Sequence, residues 1–318
     1  MGSEGTQARK RRRRVKPPPA EKVWEQPVPA GDQDNLALPD DPEFIFRFAV
    51  YGDNQRGIPI HRRIARNILI SGAETVLHVG DYVQDGKNPD QWEEQFRLPA
   101  RHLLEETLFL GVQGNHDKDS PCYYEILQPP EGKSRFKAVR GPVAFFGLDS
   151  NRHLAQQAQW LDQELAETGE PWKVVFFHEA PYASSWPWPG GSLKTRKHFL
   201  PLIERHRVDL VFAGHIHNYE RFHKDAIPYI ITGGGGDTLD KPEQLENPFL
   251  IWSALKHHFC TADVYPNRIE VLARDIEGVP FDGVIVAKDR EPQEVELKTR
   301  EGYTGPRPKS FPTWLGGR

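Results

Sequence analysis

The sequence predicts an α/β sandwich with one core, and three observations carry that expectation. Strand-like runs are interleaved with helix-like runs along the chain, the pattern of layered α/β domains. Several of the strand-like runs stop at short polar motifs rather than at ordinary turns. Finally, 37% hydrophobic and 27% charged residues in a chain of 318 is an ordinary soluble balance, which excludes a collagen and a fully disordered chain. No apolar run approaches the roughly 18 residues of a spanning helix, so no membrane span is expected. At roughly 150 residues per domain the length suits one large or two small domains. Two cysteines, Cys122 and Cys260, cannot build a disulfide framework.

Charge is distributed unevenly. Residues 1–16 carry seven Lys or Arg against Glu4, a net +6, and the total of -4 leaves -10 on the remainder. A secretory signal would follow such a run with apolar residues, but Pro17, Pro18 and Pro19 follow instead. The expectation is therefore cytoplasmic, with a secreted or periplasmic protein still open if the start is misassigned. The run reads either as a nucleic-acid or anionic-surface contact or as a solvated tail. Residues 1–42, basic and Pro-rich without apolar period, read as a disordered tail, 43–290 as the folded domain and 291–318 as a polar C-terminal extension.

The elements follow in order. Phe44–Tyr51 is β-branched and aromatic and ends in Gly52-Asp53, a strand and loop. Ile60, Ile64, Ile68 and Leu69 give 58–71 a helical apolar spacing. A strand over 75–79 ends in Gly80-Asp81, and a helix over 89–106 has Asn88 as its cap. A strand over 108–112 ends in Gly114-Asn115-His116-Asp117. Segments 136–139 and 143–148, joined at Arg140-Gly141-Pro142, form a hairpin. Helices over 156–167 and 193–206 precede strands over 173–177 and 210–213, which stop at His178 and at Gly214-His215-Ile216-His217. Strands over 227–232, 259–265 and 269–274 close the series.

Five strands thus end in groups able to bind metal: Asp53; Asp81; Asn115 with His116; His178; and His215 with His217. Ligands gather at the carboxyl ends of strands in layered α/β folds, which would bring these distant residues together. Carboxylate and imidazole suit first-row divalent ions, and a paired site needs an anionic bridge that Asp81 could supply. Two such ions activate a shared water for in-line displacement at phosphorus, the hydrolysis of a phosphate ester.

GDNQ (52–55), GDYV (80–83), GNHD (114–117), VVFFH (174–178) and GHIHNYER (214–221) resemble the calcineurin-like metallophosphoesterases, especially their purple-acid-phosphatase-like branch. The likeness covers about residues 43–275; LDSN (148–151), QWL (159–161) and the glycines 233–236 add looser support. It implies a two-sheet β-sandwich flanked by helices. It also implies that Asp53, Asp81 and His217 hold a first metal, while Asp81, Asn115, His178 and His215 hold a second. The ions would be divalent or mixed-valence Mn, Fe, Zn or Co. His116 would face the scissile phosphate and protonate the leaving oxygen, with Asp117 either supporting it or capping the next turn. Arg56, Tyr219 and Arg221 are candidates for phosphate oxygens, or else structural ion-pair members. The segment Trp186-Pro187-Trp188 would form a loop over the site.

Two positions depart from the family pattern. Gln55 stands where many members have His, and Gln84 where purple acid phosphatases have Tyr. The first metal then has only Gln55 oxygen or water to complete it. The reading favoured is a binuclear phosphomonoesterase acting on a small phosphate ester through a metal-bridged hydroxide. The alternatives are a phosphodiesterase on cyclic nucleotide or nucleic acid, and a degenerate scaffold that only binds.

Overall fold

A computed structural model describes residues 33–185, 190–240, 246–288, 291–295 and 297. The basic run and Trp186-Pro187-Trp188 lie outside the described residues. The chain first lays down three parallel strands, β1 (Phe46–Tyr51), β2 (Thr75–His78) and β3 (Leu108–Gly111). It then builds a second sheet from β4 (Phe136–Arg140), β5 (Val143–Leu148), β6 (Trp172–Glu179), β7 (Leu210–Gly214), β8 (Tyr219–Lys224), β9 (Ile227–Thr232) and β10 (Leu250–Ala254). Finally β11 (His258–Val264), β12 (Arg268–Asp275), β13 (Pro280–Ala287) and β14 (Gln293–Glu294) return to extend the first sheet, antiparallel, beside β1. The result is two mixed sheets of seven strands, in the orders β14-β13-β12-β11-β1-β2-β3 and β10-β8-β9-β7-β6-β5-β4.

Alternation along the strands explains the layers, because successive side chains point to opposite faces. Phe46, Phe48 and Val50 of β1 join Phe145, Val174 and Phe212 of the second sheet in a core between the sheets. Ala49 and Tyr51 face outward, where Ile64 and Ile68 of the helix Ile58–Ile70 cover them. On the far side Phe146, Val175 and Val211 pack under Leu161, Leu165 and Ile203 of the flanking helices. Both sheets are therefore buried on two faces, which suits their parallel centres, and the α/β sandwich is as expected.

Several boundaries differ. The helix expected over 89–106 breaks into Pro89–Gln91, a π-helical turn Trp92–Arg97 and Arg101–Glu106, with Pro99 in the gap. Asn88 does cap it, its Oδ1 accepting from the Asp90 amide at 3.1 Å. The helix expected over 193–206 breaks at Phe199, two residues before Pro201, for the same reason. Strands β8, β10, β13 and β14 were not legible: β8 (YERFHK) has no apolar alternation, and β13 contains Pro280, Asp282 and Gly283. Leu36, inside the expected tail, is fully buried in the core beneath the Ile58–Ile70 helix. No described helix is long and apolar enough to cross a membrane.

Candidate metal centre

Because β1, β2, β3, β6 and β7 are all parallel members of their sheets, the five polar motifs collect at one edge of the sandwich. Asp53, Asp81 and His215 adopt left-handed backbone conformations (φ 58°, 57° and 70°), which cost free energy for non-glycine residues and cluster at functional sites. Two glycines make the close approach sterically feasible. A Cβ on Gly114 would sit 2.1 Å from Asp81 Oδ1, and one on Gly214 would sit 2.4 Å from Asp53 Oδ2.

The donors expected for the second metal converge. His178 Nε2 lies 3.3 Å from Asp81 Oδ2, 3.0 Å from Asn115 Oδ1 and 3.2 Å from His215 Nδ1. Ligand atoms of Asp81, His178 and His215 all fall within 4.8 Å of one another. His178 Nδ1 donates to the Val79 carbonyl at 2.9 Å, so its Nε2 lone pair is turned inward, the usual way a protein fixes a ligating imidazole.

For the first metal, His217 Nε2 lies 3.6 Å from Asp53 Oδ1, and its Nδ1 donates to the Thr238 carbonyl at 2.9 Å. Gln55 is fully buried with its Nε2 3.5 Å from Asp81 Oδ2, and its Oε1 has no hydrogen-bond partner among the described residues. A buried carbonyl oxygen without a partner is costly, and a cation held near Asp81 would satisfy it. Asp81, His178 and His215 thus form a donor set that fits a metal ion.

Electrostatics point the same way. Burial raises the Asp53 carboxyl well above its usual range. Burial also opposes ionisation of Asp81, but His178 overrides it and brings that carboxyl to about 2. For His178 burial works against the charged form, yet Asp81 and Asp53 lift it to about 10. The two carboxylates thus favour positive charge at this point.

His116 Nδ1 is held by the Gln84 carbonyl at 2.9 Å, with the Gln84 side-chain nitrogen 3.3 Å away. Gln84 therefore lies against His116, at the position where a Tyr ligand would stand. Asp117 does not support His116. Its Oδ2 accepts from the amides of Asp81 (2.9 Å) and Gly114 (2.7 Å), and its Oδ1 accepts from Tyr82 (2.9 Å). It ties the β2 and β3 loops together through three convergent backbone donors, two of them 35 and 36 residues away in sequence.

Arg56 stands at the rim with its guanidinium forked onto Asp237 at 2.9 and 3.2 Å, and Asp237 donates its amide to the Asp53 carbonyl. Tyr219 and Arg221 are placed elsewhere. Both are buried between the sheets, and both bond Asp282 of β13, at 2.8 Å from Tyr219 and 2.7 and 2.9 Å from Arg221. The expected phosphate contact gives way to an interior ion pair, because β8 turns these side chains into the core. Asp237, Thr238 and the Gln84 carbonyl escaped sequence reading. The glycine run before Asp237 was visible, but nothing in it marks a carboxylate that holds Arg56.

Comparison with known proteins agrees with this geometry. The family model described as calcineurin-like phosphoesterase matches residues 46–219, more than half of the chain. Purple acid phosphatase 5 of Arabidopsis thaliana is 28% identical over 204 residues, covering 61% of this chain and 49% of that one. A second Arabidopsis thaliana protein, named probable inactive purple acid phosphatase 27, is 26% identical, covering 48% of this chain and 30% of its own. The chain spans about half the length or less of these relatives. The structure of a purple acid phosphatase from yellow lupin (Lupinus luteus) seeds superposes with a TM-score of 0.68 at 16% identity, covering 76% of this chain and 53% of that one. Fold, motif order and family match lead to one conclusion: the chain belongs to the calcineurin-like phosphoesterase family, in its purple-acid-phosphatase-like branch.

Proposed function

We propose that the protein hydrolyses phosphate monoesters at a two-metal centre. The observation that carries this is the convergence of Asp81, Asn115, His178 and His215 on one point, with Asp53, His217 and the unpartnered Gln55 oxygen beside it. Two divalent or mixed-valence ions (Mn, Fe, Zn or Co) bound there would supply an activated water and neutralise the phosphoryl oxygens. The chain's own residues do the rest. His116, with Nδ1 tied to the Gln84 carbonyl, presents Nε2 to hold a proton and release it at the leaving oxygen. Arg56, oriented by Asp237, offers its outer face to a phosphate oxygen at the rim. A binding-only scaffold is the second reading, since a relative carries "inactive" in its name and Gln55 and Gln84 depart from the family pattern.

The test is a paired assay of metal-reconstituted protein on 4-nitrophenyl phosphate and bis(4-nitrophenyl) phosphate, with metal content measured alongside. Preferred turnover of the monoester is expected. His116→Ala should keep both metals and lose roughly 10²- to 10⁴-fold in turnover, the range for lost acid-base assistance. Preferred turnover of the diester would replace the monoesterase reading, and metal-loaded protein inert to both esters would leave the scaffold.

A further inference from the structure

We infer that a cleft beside the metal centre receives the leaving group, and that it selects a hydroxyl-rich alcohol, a sugar or polyol, over an aryl, lipid or nucleobase group. This rests on the phosphatase reading above. The cleft, about 450 Å³, is lined by Gln113, Gly114 and Asn115, by Lys118 and Asp119 further along the same loop, and by Asn151 and Arg152. The first group follows β3 and the last two follow β5, so the cleft lies where the two sheets meet. It shares Asn115 with the metal centre, whose Oδ1 is 3.0 Å from His178 Nε2. A group leaving from phosphorus over the metals can extend into it.

Its lining residues are unusual for a ligand pocket, which normally carries hydrophobic and aromatic side chains. Among the described residues no apolar or aromatic side chain lines it, so they offer no stacking surface for a base or aryl ring and no hydrophobic side chain for an acyl chain. Its cations are already paired. Arg152 is forked onto buried Asp149 at 2.8 and 3.2 Å and also meets Asp119, while Lys118 bonds Asp85 at 2.9 Å. With Asp85, Asp119 and Asp149 set against two cations, the cleft offers no net positive charge to a second phosphate. What remains is a set of amides, a carboxylate and a guanidinium, the groups that hydrogen-bond vicinal hydroxyls.

The set is also held in place. Asn151 Nδ2 donates to the Gln113 carbonyl and to Asp149 Oδ1, each at 3.1 Å. Gln157, from the helix Leu154–Glu167, donates to the carbonyls of Asp149 (2.7 Å) and Arg152 (2.6 Å) and accepts from the Asp149 amide. Asp119 accepts from Tyr124 at 2.8 Å and from Gln113 at 3.4 Å. A site whose polar groups are already ordered loses little entropy when it binds hydroxyls.

Steady-state kinetics of the metal-loaded full chain with glucose 6-phosphate, sorbitol 6-phosphate, fructose 1,6-bisphosphate and 4-nitrophenyl phosphate tests the inference. Lower KM is expected for the first two than for the aryl ester. Asn151→Ala and Asp119→Asn should each raise KM for the sugar esters roughly tenfold more than for the aryl ester, the order of a lost hydrogen bond. Two variants on different loops separate loss of contact from misfolding, with circular dichroism as the check. Equal KM changes across esters, a lower KM for the aryl ester, or preference for the bisphosphate would each overturn the cleft assignment while leaving the phosphatase standing. Absence of turnover on every ester would overturn the phosphatase reading, and the cleft with it.

Discussion

At the scale of single residues, the proposed function makes Gln55 the residue that completes the first metal site. It is fully buried with an Oε1 that has no partner among the described residues, and Asp53 and His217, 3.6 Å apart, are the other donors proposed for that site. Gln55→Ala should therefore release one metal per chain on dialysis while the other stays with Asp81, Asn115, His178 and His215. The expected weakening is roughly 10- to 100-fold, the range that even outer-shell changes produce. Metal analysis after dialysis checks it, and two metals held as tightly as before would remove Gln55 from the site. Gln84 bears on a second outcome: its side chain rests on His116 where a tyrosinate would otherwise colour the protein. An iron-loaded preparation should lack the visible tyrosinate band, as an absorption spectrum would show.

At the scale of elements, β8 and β13 are joined through charge. Arg221 and Tyr219 of β8 share Asp282 of β13, and Arg221 is 1% exposed. Asp282→Ala strands a buried cation, and breaking such a pair from one side costs about 3–5 kcal/mol. Urea unfolding should show that loss with metal stoichiometry unchanged; a shift below 1 kcal/mol would mean that Arg221 finds water or Glu294 instead. The amino-terminal boundary is a second matter of elements. Leu36 is buried, its carbonyl accepts from Arg47 at 2.8 Å, and the Asn35 carbonyl accepts from Arg274 at 2.6 Å. Deleting residues 1–32 should leave stability and turnover intact. Deleting 1–42 should lower the thermal midpoint, because a leucine-sized cavity alone costs about 2–5 kcal/mol. Equal midpoints for the two truncations would return residues 33–42 to the tail.

At the scale of the molecule, the proposed metal centre would clamp the two sheets together. Its donors come from loops after β1, β2 and β3 of one sheet and from β6 and the loop after β7 of the other. Ions binding only the folded chain stabilise it by linkage, about 2.7 kcal/mol per site at a hundred times Kd. A chelator should therefore abolish turnover and also lower the thermal midpoint by several degrees, since 1 kcal/mol is worth about 2–4 °C in a domain of this size. Calorimetry with and without chelator measures it, and chelator-resistant turnover would end the metal mechanism.

The sequence by itself determined the strand-and-helix order and the identity of the residues at the strand ends. Both are local: strand patterning sets Phe46–Tyr51 and Thr75–His78, and Asp53, Asp81 and His116 follow in loops whose composition marks them. It also placed His178 and His215 at the ends of their strands, so the residues that converge with Asp81 were named before any contact was known. Only the tertiary structure decided where side chains point across distances of tens to hundreds of residues. Tyr219 and Arg221 sit in a motif that reads as substrate-facing, yet Asp282, 63 and 61 positions away, draws them inside. Asp117 reads as a partner of its neighbour His116, but the amides of Asp81 and Tyr82 reach its carboxylate first. Strand β13 was hidden because Pro280 and Gly283 break the strand pattern, and only pairing with β12 makes it regular. Contacts of long sequence separation carry no local signature, so pattern reading assigned these residues their type, and packing assigned their partners.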